Sequence, residues 1–453
     1  MTAPASRPRP VRRALDDLSL PIDRDDLDDR LMGLALPDDR LAALALYETL
    51  PAESNQLYTS YIDLRAAALD RATIHWEPAT AQVEVPVPDG TDGLLVFTDG
   101  DLTASALSSE AMDAGVELTT IAEYLARNHV RGGALLASGA LPADDKFAQL
   151  TRALWTQGVV LDVPAGVRLA HPIIVRWATG LPDRALLSRT IITLGDGAVA
   201  TFLEELVASD AATTKGGQSF LAGTLEITLG REAKLEVASL QELPSSTVAI
   251  QHRNAVIGEG ATLHWALAQL GSRLVRSRVD NRLEGDRSSV EQVEIVFGGT
   301  DQLFDLTSYT HHVGRDTTGN LLSKGALLDR ARSFMKGMIV IDRSAVGTDS
   351  FLGEFGMNLS KATRSVAIPS LEIDQPDCRR AAHASSVGPI DESQLFYLES
   401  RGIPPDEARK FIVLGFLEPV VARVPVADAQ ERLRELLEAK WDAGIGAGAI
   451  AAA

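Results

Sequence analysis

Cysteine is nearly absent from this sequence: Cys378 is the only one among 453 residues. A single thiol excludes an internal disulfide, which is the usual condition of proteins in a reducing cytoplasm. No apolar run approaches the roughly 20 residues that a membrane-spanning helix needs. The Pro/Arg-rich segment 1–13 also lacks the apolar core of a signal peptide. We therefore expect a soluble, cytoplasmic protein with no membrane partner.

Basic charge is also in short supply. Lys and Arg number 43 against 62 Asp and Glu, which gives a formal net charge of −19. This balance argues against binding nucleic acid or anionic lipid through bulk electrostatics. The phosphate-binding motif Gly-x-x-x-x-Gly-Lys-Ser/Thr is missing as well, so the chain is not expected to be an ATPase. Hydrophobic residues make up 45% of the sequence, which is enough for one large core or two to three ordinary ones.

The patterns along the chain predict a mainly β protein with helical regions at both ends. Leu27, Leu31 and Leu34 recur on one helical face near the start. Near the end, Asp391 is placed to cap a helix that stops at Gly402. The predicted division is a disordered arm over 1–14, a mixed helical domain over 15–135, a β-helix core over 136–385, a helical domain over 386–445 and a frayed tail over 446–453.

Three turn-and-strand units in the middle of the chain resemble one another. Each has a glycine-containing turn that ends in alanine and leads into a strand, and the alanines are Ala198, Ala233 and Ala261. A loosely regular β-repeat without intervening helices favours a solenoid, because each unit can bury its apolar face only against the next. We predict a right-handed parallel β-helix. A large multi-sheet β-domain is the alternative.

Cys378 and His383 are the first candidates for chemistry. A soft thiolate and an imidazole close together suggest a metal or cluster site, and Arg379 and Arg380 beside the thiol favour its thiolate. In an extended strand, however, an offset of five residues places two side chains on opposite faces. A shared site would need a bulge or a turn at Arg380–Ala381. The alternatives are a small, partly buried Cys378 and a His383 that hydrogen-bonds a turn.

Other polar pairs favour structural roles. His311 and His312 are adjacent and cannot chelate a metal from a regular strand, so a hydrogen-bonding role at a turn is expected, with Asp316 nearby. We expect a solvated strand edge for the carboxylates of Glu204 and Glu205. Lys324 and Lys336 are interpreted as solvent-facing charges.

Several motifs together resemble the SufB/SufD family of iron–sulfur assembly scaffolds. They occur in the family's order between about residues 147 and 419. The motifs are Phe147-Ala-Gln-Leu-Thr-Arg-Ala-Leu-Trp-Thr-Gln-Gly158, Ser323-Lys-Gly325, Ala331-Arg-Ser-Phe-Met-Lys-Gly337, Leu395-Phe-Tyr-Leu-Glu-Ser-Arg-Gly-Ile403 and Leu414-Gly-Phe416. Leu398 and Gly388 are similar to the SufD branch, and Ala382-His383-Ala384 stands where SufB has Glu-His-Glu.

The resemblance implies a non-catalytic scaffold subunit with two partners. It implies pairing with a SufB-like subunit through the β-helix and binding of a SufC-like ATPase through the C-terminal helices. His383 aligns with a family histidine proposed to bind an iron–sulfur cluster or iron, held transiently and shared with SufB. Cys378 is a weaker candidate, because the family's cysteine position is Ala381 here. The residues expected to bind a partner are Leu395, Phe396, Tyr397, Arg401, Gly402, Phe411 and Phe416.

Two other functions stay open at the level of sequence. One is a β-helix enzyme acting on acidic polysaccharide, although the missing signal peptide and the negative charge speak against it. The other is a homodimeric family member that works without SufB.

Overall fold

A computed structural model describes residues 24–61, 63–64, 67, 72–76, 83–136, 141–212 and 217–446. The predicted arm over 1–14 lies outside the described residues, as does the predicted frayed tail from residue 447 onward.

The centre of the molecule is a parallel β-solenoid of eight turns built from two facing sheets. Successive strands alternate between the sheets, so each turn contributes one strand to each. The strands of the first sheet are Gln157–Val163 (β5), Arg184–Leu194 (β7), Ser219–Leu229 (β9), Thr247–Ile257 (β11), Leu274–Leu283 (β13), Leu303–His312 (β15), Arg332–Ile341 (β17) and Arg364–Ile373 (β19). Those of the second sheet are Ile173–Thr179 (β6), Val199–Ala208 (β8), Lys234–Gln241 (β10), Thr262–Gln269 (β12), Ser289–Gly298 (β14), Thr318–Leu327 (β16), Asp349–Asn358 (β18) and Arg380–Gly388 (β20). The predicted parallel β-helix is confirmed.

The two ends of the solenoid differ. Among the described residues, four further strands lie before it: Thr73–Ile74 (β1), Gly93–Thr98 (β2), Asp101–Leu107 (β3) and Glu117–Thr120 (β4). At the first turn, β4 pairs antiparallel with β5, while β2 adds to β6 and is followed by antiparallel β3. At the last turn, β19 and β20 each have a strand neighbour on one side only in the part of the chain that the structure describes. One end is therefore capped, and the other presents two free sheet edges.

The corner before each strand of the second sheet explains the repeat seen in the sequence. Ala198, Ala233 and Ala261 occupy the same position in three successive turns, because the register of β8, β10 and β12 stacks them. All three are fully buried. A backbone bond links the first two corners, where the Gly197 amide donates to the Arg231 carbonyl at 2.7 Å. The three predicted units are consecutive turns of the solenoid.

Helices cover the outer faces of both sheets. They are Arg24–Met32 (α1), Pro37–Thr49 (α2), Ser109–Asp113 (α3), Ile121–Arg127 (α4), His129–Leu136 (α5), Lys146–Leu154 (α6), Glu392–Ser400 (α7), Pro405–Val421 (α8) and Ala427–Gly446 (α9), with a 3-10 turn at Thr59–Tyr61. Helix α6 packs on β7, β9 and β11 of the first sheet. Helix α8 packs on β14 and β16 of the second sheet, and α9 packs on β10. The helical regions predicted at both ends are confirmed.

The carboxylates of Glu204 and Glu205 are buried, so the predicted solvated edge is wrong. They do point to opposite faces of β8, as adjacent strand residues must. Glu204 faces the interior and accepts a hydrogen bond from Arg253 Nη2 at 2.9 Å. Glu205 pairs with Arg176 on the neighbouring strand at 2.7 Å. Each carboxylate is tolerated inside the protein because an arginine neutralises it.

The two lysines predicted to face solvent do not. The side chain of Lys336 is fully buried, and its Nζ lies 2.5 Å from Asp305 Oδ1 and 3.6 Å from Glu53 Oε2. Lys324 is half-buried and donates from Nζ to the backbone carbonyl of Phe416 in α8 at 2.8 Å. Both ammonium groups tie a flanking segment to the solenoid, which a sequence pattern cannot reveal because the partners are distant in the chain.

His252 links α6 to the outer face of the first sheet. Its Nε2 lies 2.9 Å from Asp280 Oδ2, and its Nδ1 lies 3.8 Å from Asp145, the N-cap of α6. Burial alone would lower the pKa of His252, but the two carboxylates outweigh it and raise that pKa above its ordinary value of 6.5. The folded protein therefore holds a proton here that the unfolded chain releases at lower pH.

This histidine predicts a pH dependence of stability. Its contribution is fully present below pH 6.5 and is lost as the pH rises through the higher pKa of the folded state. We expect the free energy of unfolding of wild type to fall more steeply above pH 6.5 than that of His252→Gln. Urea titrations of both proteins at a series of pH values measure this, and parallel curves would contradict it.

Candidate functional site

The open end of the solenoid is the first candidate site. The residues of β20 whose side chains face the interior are Ala381, His383, Ser385 and Val387, by their register with β18. Within the described part of the chain no further turn covers them, so interior positions are exposed here: Val387 is 37% exposed, and Ile373 at the end of β19 is 44% exposed. The open end thus presents hydrophobic side chains beside free backbone groups.

His383 lies on the interior face at this end. It is paired with Leu352 on β18, and Leu352 is only 1% exposed within a hydrophobic cluster of the preceding turns. His383 occupies the equivalent position one turn later and is exposed. Its imidazole is therefore placed where a second molecule stacked on the solenoid would meet it.

Cys378 lies in the corner turn that precedes β20, and it is half-buried. The neighbouring Asp377 carbonyl accepts a hydrogen bond from Gly347 at 2.8 Å, which continues the ladder of corner bonds. Strand β20 pairs with β18 without a bulge from Arg380 onward. His383 is three residues into that strand, about 10 Å beyond its start. The structure does not form the bulge that a shared Cys378–His383 site would need.

The arginines that flank Cys378 are both engaged elsewhere. Arg379 pairs with Asp316, and Arg380 donates to Asp349 Oδ1 at 2.7 Å and to Asn320 at 3.1 Å. Their charges are therefore shared with carboxylates and are not directed at the thiol alone.

Glu354 belongs to this end of the molecule and was missed in the sequence. It lies on β18 paired with Ser385, so its side chain faces the interior, and it is 2% exposed. Its Oε2 accepts a hydrogen bond from the Ile368 amide of β19 at 2.8 Å. Burial raises the pKa of Glu354 to about 8, against the opposing effect of that hydrogen bond. The sequence does contain a signal for this buried acid, because Glu354 is the one charged residue within the apolar run Phe351-Leu-Gly-Glu-Phe355.

A second exposed surface lies on α7 and α8. Phe396 is 73% exposed, and Tyr397 and Phe411 are also exposed. The guanidinium of Arg401 lies 5.3 Å from the centroid of the Tyr397 ring. We call these four residues the aromatic patch. Leu395 lies on the buried side of α7.

The turn after α7 fixes the orientation of the aromatic patch. Gly402 has φ +85°, a conformation that residues with a Cβ adopt only with strain. Its amide donates to the Glu399 carbonyl at 2.9 Å, and the Ile403 amide donates to Leu398 at 3.3 Å. These bonds form a Schellman motif, which ends α7 and directs the chain into α8. Phe416 lies further along α8, and the centroid of its ring is 4.6 Å from Lys324 Nζ.

Comparison with known proteins identifies the family. A family model described as "SUF system FeS cluster assembly, SufBD core domain" matches residues 177–416, more than half of the chain. This chain belongs to the SufBD family of iron–sulfur cluster assembly proteins. The match extends from β6 through the open end to α8. The family predicted from the motifs is confirmed.

Individual SufBD relatives cover most of the chain. It is 28% identical over 369 residues to the iron–sulfur cluster assembly protein SufD of Bacillus subtilis, a match that covers 80% of this chain and 83% of that protein. It is 27% identical over 367 residues to a SufBD family protein of Mycobacterium tuberculosis, covering 78% of this chain and 89% of the relative. A SufBD family protein of Staphylococcus haemolyticus is 23% identical over 423 residues, with 90% of each chain covered.

The adjacent histidines of this SufBD protein have separate environments. His312 is fully buried and lies 2.8 Å from Thr317 Oγ1 and 3.0 Å from Ser350 Oγ. Burial, with a smaller effect of His311, lowers its pKa to about 4, so it is neutral at pH 7. His311 faces the other way and lies 3.0 Å from Asp342. The predicted hydrogen-bonding role is confirmed for His312.

Within the ranges given above, no group of three or more His, Cys, Asp or Glu side chains is arranged to hold a metal ion. Within the same ranges, no helix is both long enough and apolar enough to cross a membrane.

Proposed function

We propose that this chain is a SufD-like, non-catalytic subunit of an iron–sulfur assembly scaffold, which pairs with a SufB-like subunit through its open end. The observation that carries the proposal is the last turn, where hydrophobic side chains at interior positions are exposed beside two free sheet edges. A free edge is a ready template for strand addition. A homologous subunit with the same two-sheet cross-section is the partner best suited to continue both sheets.

The position of His383 supports a role at that junction. A neutral imidazole is a suitable ligand for iron, and histidine can replace cysteine on an iron of a cluster. At the open end, His383 would contribute one ligand, and the partner would contribute others. The iron or cluster is the cargo of the assembly, held transiently between the two subunits.

Replacing His383 with alanine tests this role. We expect the complex with the SufB-like subunit to form, but to retain several-fold less iron and sulfide after anaerobic reconstitution, because one ligand is lost. His264→Ala is the matched control, since His264 is an exposed histidine of β12 away from the open end. Equal iron content in all three complexes would refute a ligand role for His383.

The aromatic patch is proposed to bind a SufC-like ATPase. Exposed aromatic side chains are enriched in the energetic centres of protein interfaces. They lie on α7 and α8, the part of the chain for which the family resemblance implied ATPase binding. Leu395 and Phe416 support the patch from the interior side of the same helices.

We expect Phe396→Ala combined with Phe411→Ala to weaken ATPase binding about 100-fold, since each central aromatic contributes about 1–2 kcal/mol or more. Val130→Ala on α5 is the control, because Val130 is an exposed hydrophobic residue on another helix. Calorimetric titration of the purified subunits measures the affinities. Unchanged binding by the double variant would show that the ATPase docks elsewhere.

A second copy of this chain is the competing occupant of the open end. Sedimentation of the chain alone, and then mixed with the SufB-like subunit, distinguishes the two. Our proposal predicts that any self-association is displaced by the SufB-like subunit. A homodimer that persists in its presence would favour a family member that works alone.

A further inference from the structure

Glu354 is a buried carboxyl group directly beneath the open end. Its side chain faces the solenoid interior one turn before the last, between Ser323 and Ser385 in the register of the second sheet. Among the described residues, the hydrogen bond from the Ile368 amide is the one interaction that opposes the effect of burial on the pKa of this carboxyl group. A carboxyl group without a cationic partner is costly in a protein interior. Burial accordingly raises the pKa of Glu354 to about 8, which keeps the carboxyl group protonated near pH 7.

The surroundings of Glu354 make room for this carboxyl group. A Cβ built on Gly337 of β17 would lie 2.5 Å from a methyl carbon of Leu352 and 2.9 Å from Glu354 Oε1. A side chain at residue 337 would therefore displace both Leu352 and the carboxyl group. The Gly337 carbonyl also accepts a hydrogen bond from the Tyr58 hydroxyl at 3.0 Å, which fixes this part of β17. Glycine at residue 337 thus leaves room for the Glu354 carboxyl group.

Glu354 and His383 are neighbours on one interior face. His383 pairs with Leu352 and Glu354 pairs with Ser385, so Glu354 and His383 are a diagonal pair on adjacent strands. The Cα atoms of such a pair are about 8 Å apart, within the combined reach of two long side chains. An imidazole and a carboxyl group that releases its proton on metal binding are a donor set that suits ferrous iron.

We propose that Glu354 is a second ligand, beside His383, for iron bound at the open end of the solenoid. This inference rests on the proposed function of His383 and adds an oxygen ligand from the preceding turn. The chain would then supply two ligands, one at the opening and one just beneath it. The remaining positions are left to the partner subunit and to sulfide.

The chain contains a matched control for this proposal. Glu294 lies in the same register column as Glu354, two strands deeper, where Ser323 separates them. It is 1% exposed, so its burial is as complete. Its nearest partners are Gln269 and the charge of Arg253. A change at Glu294 reproduces the loss of an interior carboxyl group without touching the open end.

The test compares iron binding by the complex of this chain with its SufB-like subunit, in wild-type form and with Glu354→Gln, His383→Ala or Glu294→Gln. Glutamine keeps an oxygen that can accept the Ile368 hydrogen bond, and thermal denaturation checks that each variant is folded. One arm uses ferrous ion alone under anaerobic dialysis. The other adds sulfide and follows the visible absorption of the cluster, which separates bound iron from iron within a cluster.

We expect Glu354→Gln and His383→Ala each to weaken iron binding at least tenfold in one or both arms, since loss of even an outer-sphere partner costs 10- to 100-fold. Glu294→Gln should stay within twofold of wild type. Weakening by His383→Ala but not by Glu354→Gln would overturn the role of Glu354 and leave that of His383 standing. Wild-type binding by both variants would overturn both. Equal weakening by Glu294→Gln would show a general effect of interior charge and would also overturn the proposal.

Discussion

Val387→Arg is expected to weaken pairing of this chain with the proposed SufB-like partner about 100-fold or more while leaving the chain folded. Val387 faces the interior of the last turn and is 37% exposed, so an arginine there reaches solvent in the isolated protein. In the proposed complex the same side chain would be buried between two solenoids without a counter-charge. An uncompensated buried charge costs about 3–5 kcal/mol, which weakens binding by a factor of about 100 or more.

The matched control for this variant is Val130→Arg. Val130 is 86% exposed on α5, beside the capped end of the solenoid. Co-purification and calorimetric titration of both variants with the SufB-like subunit give the affinities, and thermal denaturation of each free chain checks folding. Near wild-type affinity of Val387→Arg would place the partner on another surface.

Arg189→Met is expected to be the most destabilising single substitution considered for the fold. Arg189 Nε and Nη2 donate to the two carboxylate oxygens of Glu226 at 2.8 and 2.7 Å, and both side chains are buried. Arg189 also donates to the Leu136 carbonyl at the end of α5. Removing the arginine leaves the carboxylate buried and unpaired, which costs about 3–5 kcal/mol of unfolding free energy.

The double variant Arg189→Met/Glu226→Gln separates the ion pair from packing. With the carboxylate neutralised, much of the stability lost in Arg189→Met should return, because the penalty is that of an unpaired buried charge. Urea denaturation of wild type and the variants measures the differences. If the double variant had a lower free energy of unfolding than Arg189→Met, the unpaired carboxylate would not be the cause. The stability lost in Arg189→Met would then come from packing and from the contact with α5.

Only some turns of the solenoid are recognisable as a repeat in the sequence. Ala198, Ala233 and Ala261 are visible as a repeat because the same small residue stands at three stacked corners. The following corners keep a small, fully buried residue but change its type to Ser288, Thr317 and Thr348. The physical requirement is size rather than identity, so the pattern fades while the structure continues.

The polar residues were harder to interpret, because their partners are distant in the chain. Glu204 is neutralised by Arg253, 49 residues further on, and Lys336 by Asp305 on the neighbouring strand together with Glu53 from the N-terminal region. Each charge alone is typical of a solvated surface. Only the register of the sheets shows that these side chains meet in the interior or under a covering segment.

The candidate site was predicted in part. His383 was identified by family resemblance, but its position at an uncovered turn follows from β20 being the last strand of its sheet. Glu354 was missed, since it becomes a neighbour of His383 only through the pairing of β18 with β20. Cys378 stood close to His383 in sequence, yet the corner turn separates it from the strand.

Hydrogen–deuterium exchange shows directly whether the SufB-like subunit covers the open end. The amides of β19 and β20 are measured in the free chain and in the proposed complex with the SufB-like subunit, with those of β3 and β4 at the capped end as the internal reference. We expect strong new protection in Arg364–Ile373 and Arg380–Gly388 and little change at the capped end. A complex that forms while both of these strands exchange as in the free chain would contradict this expectation.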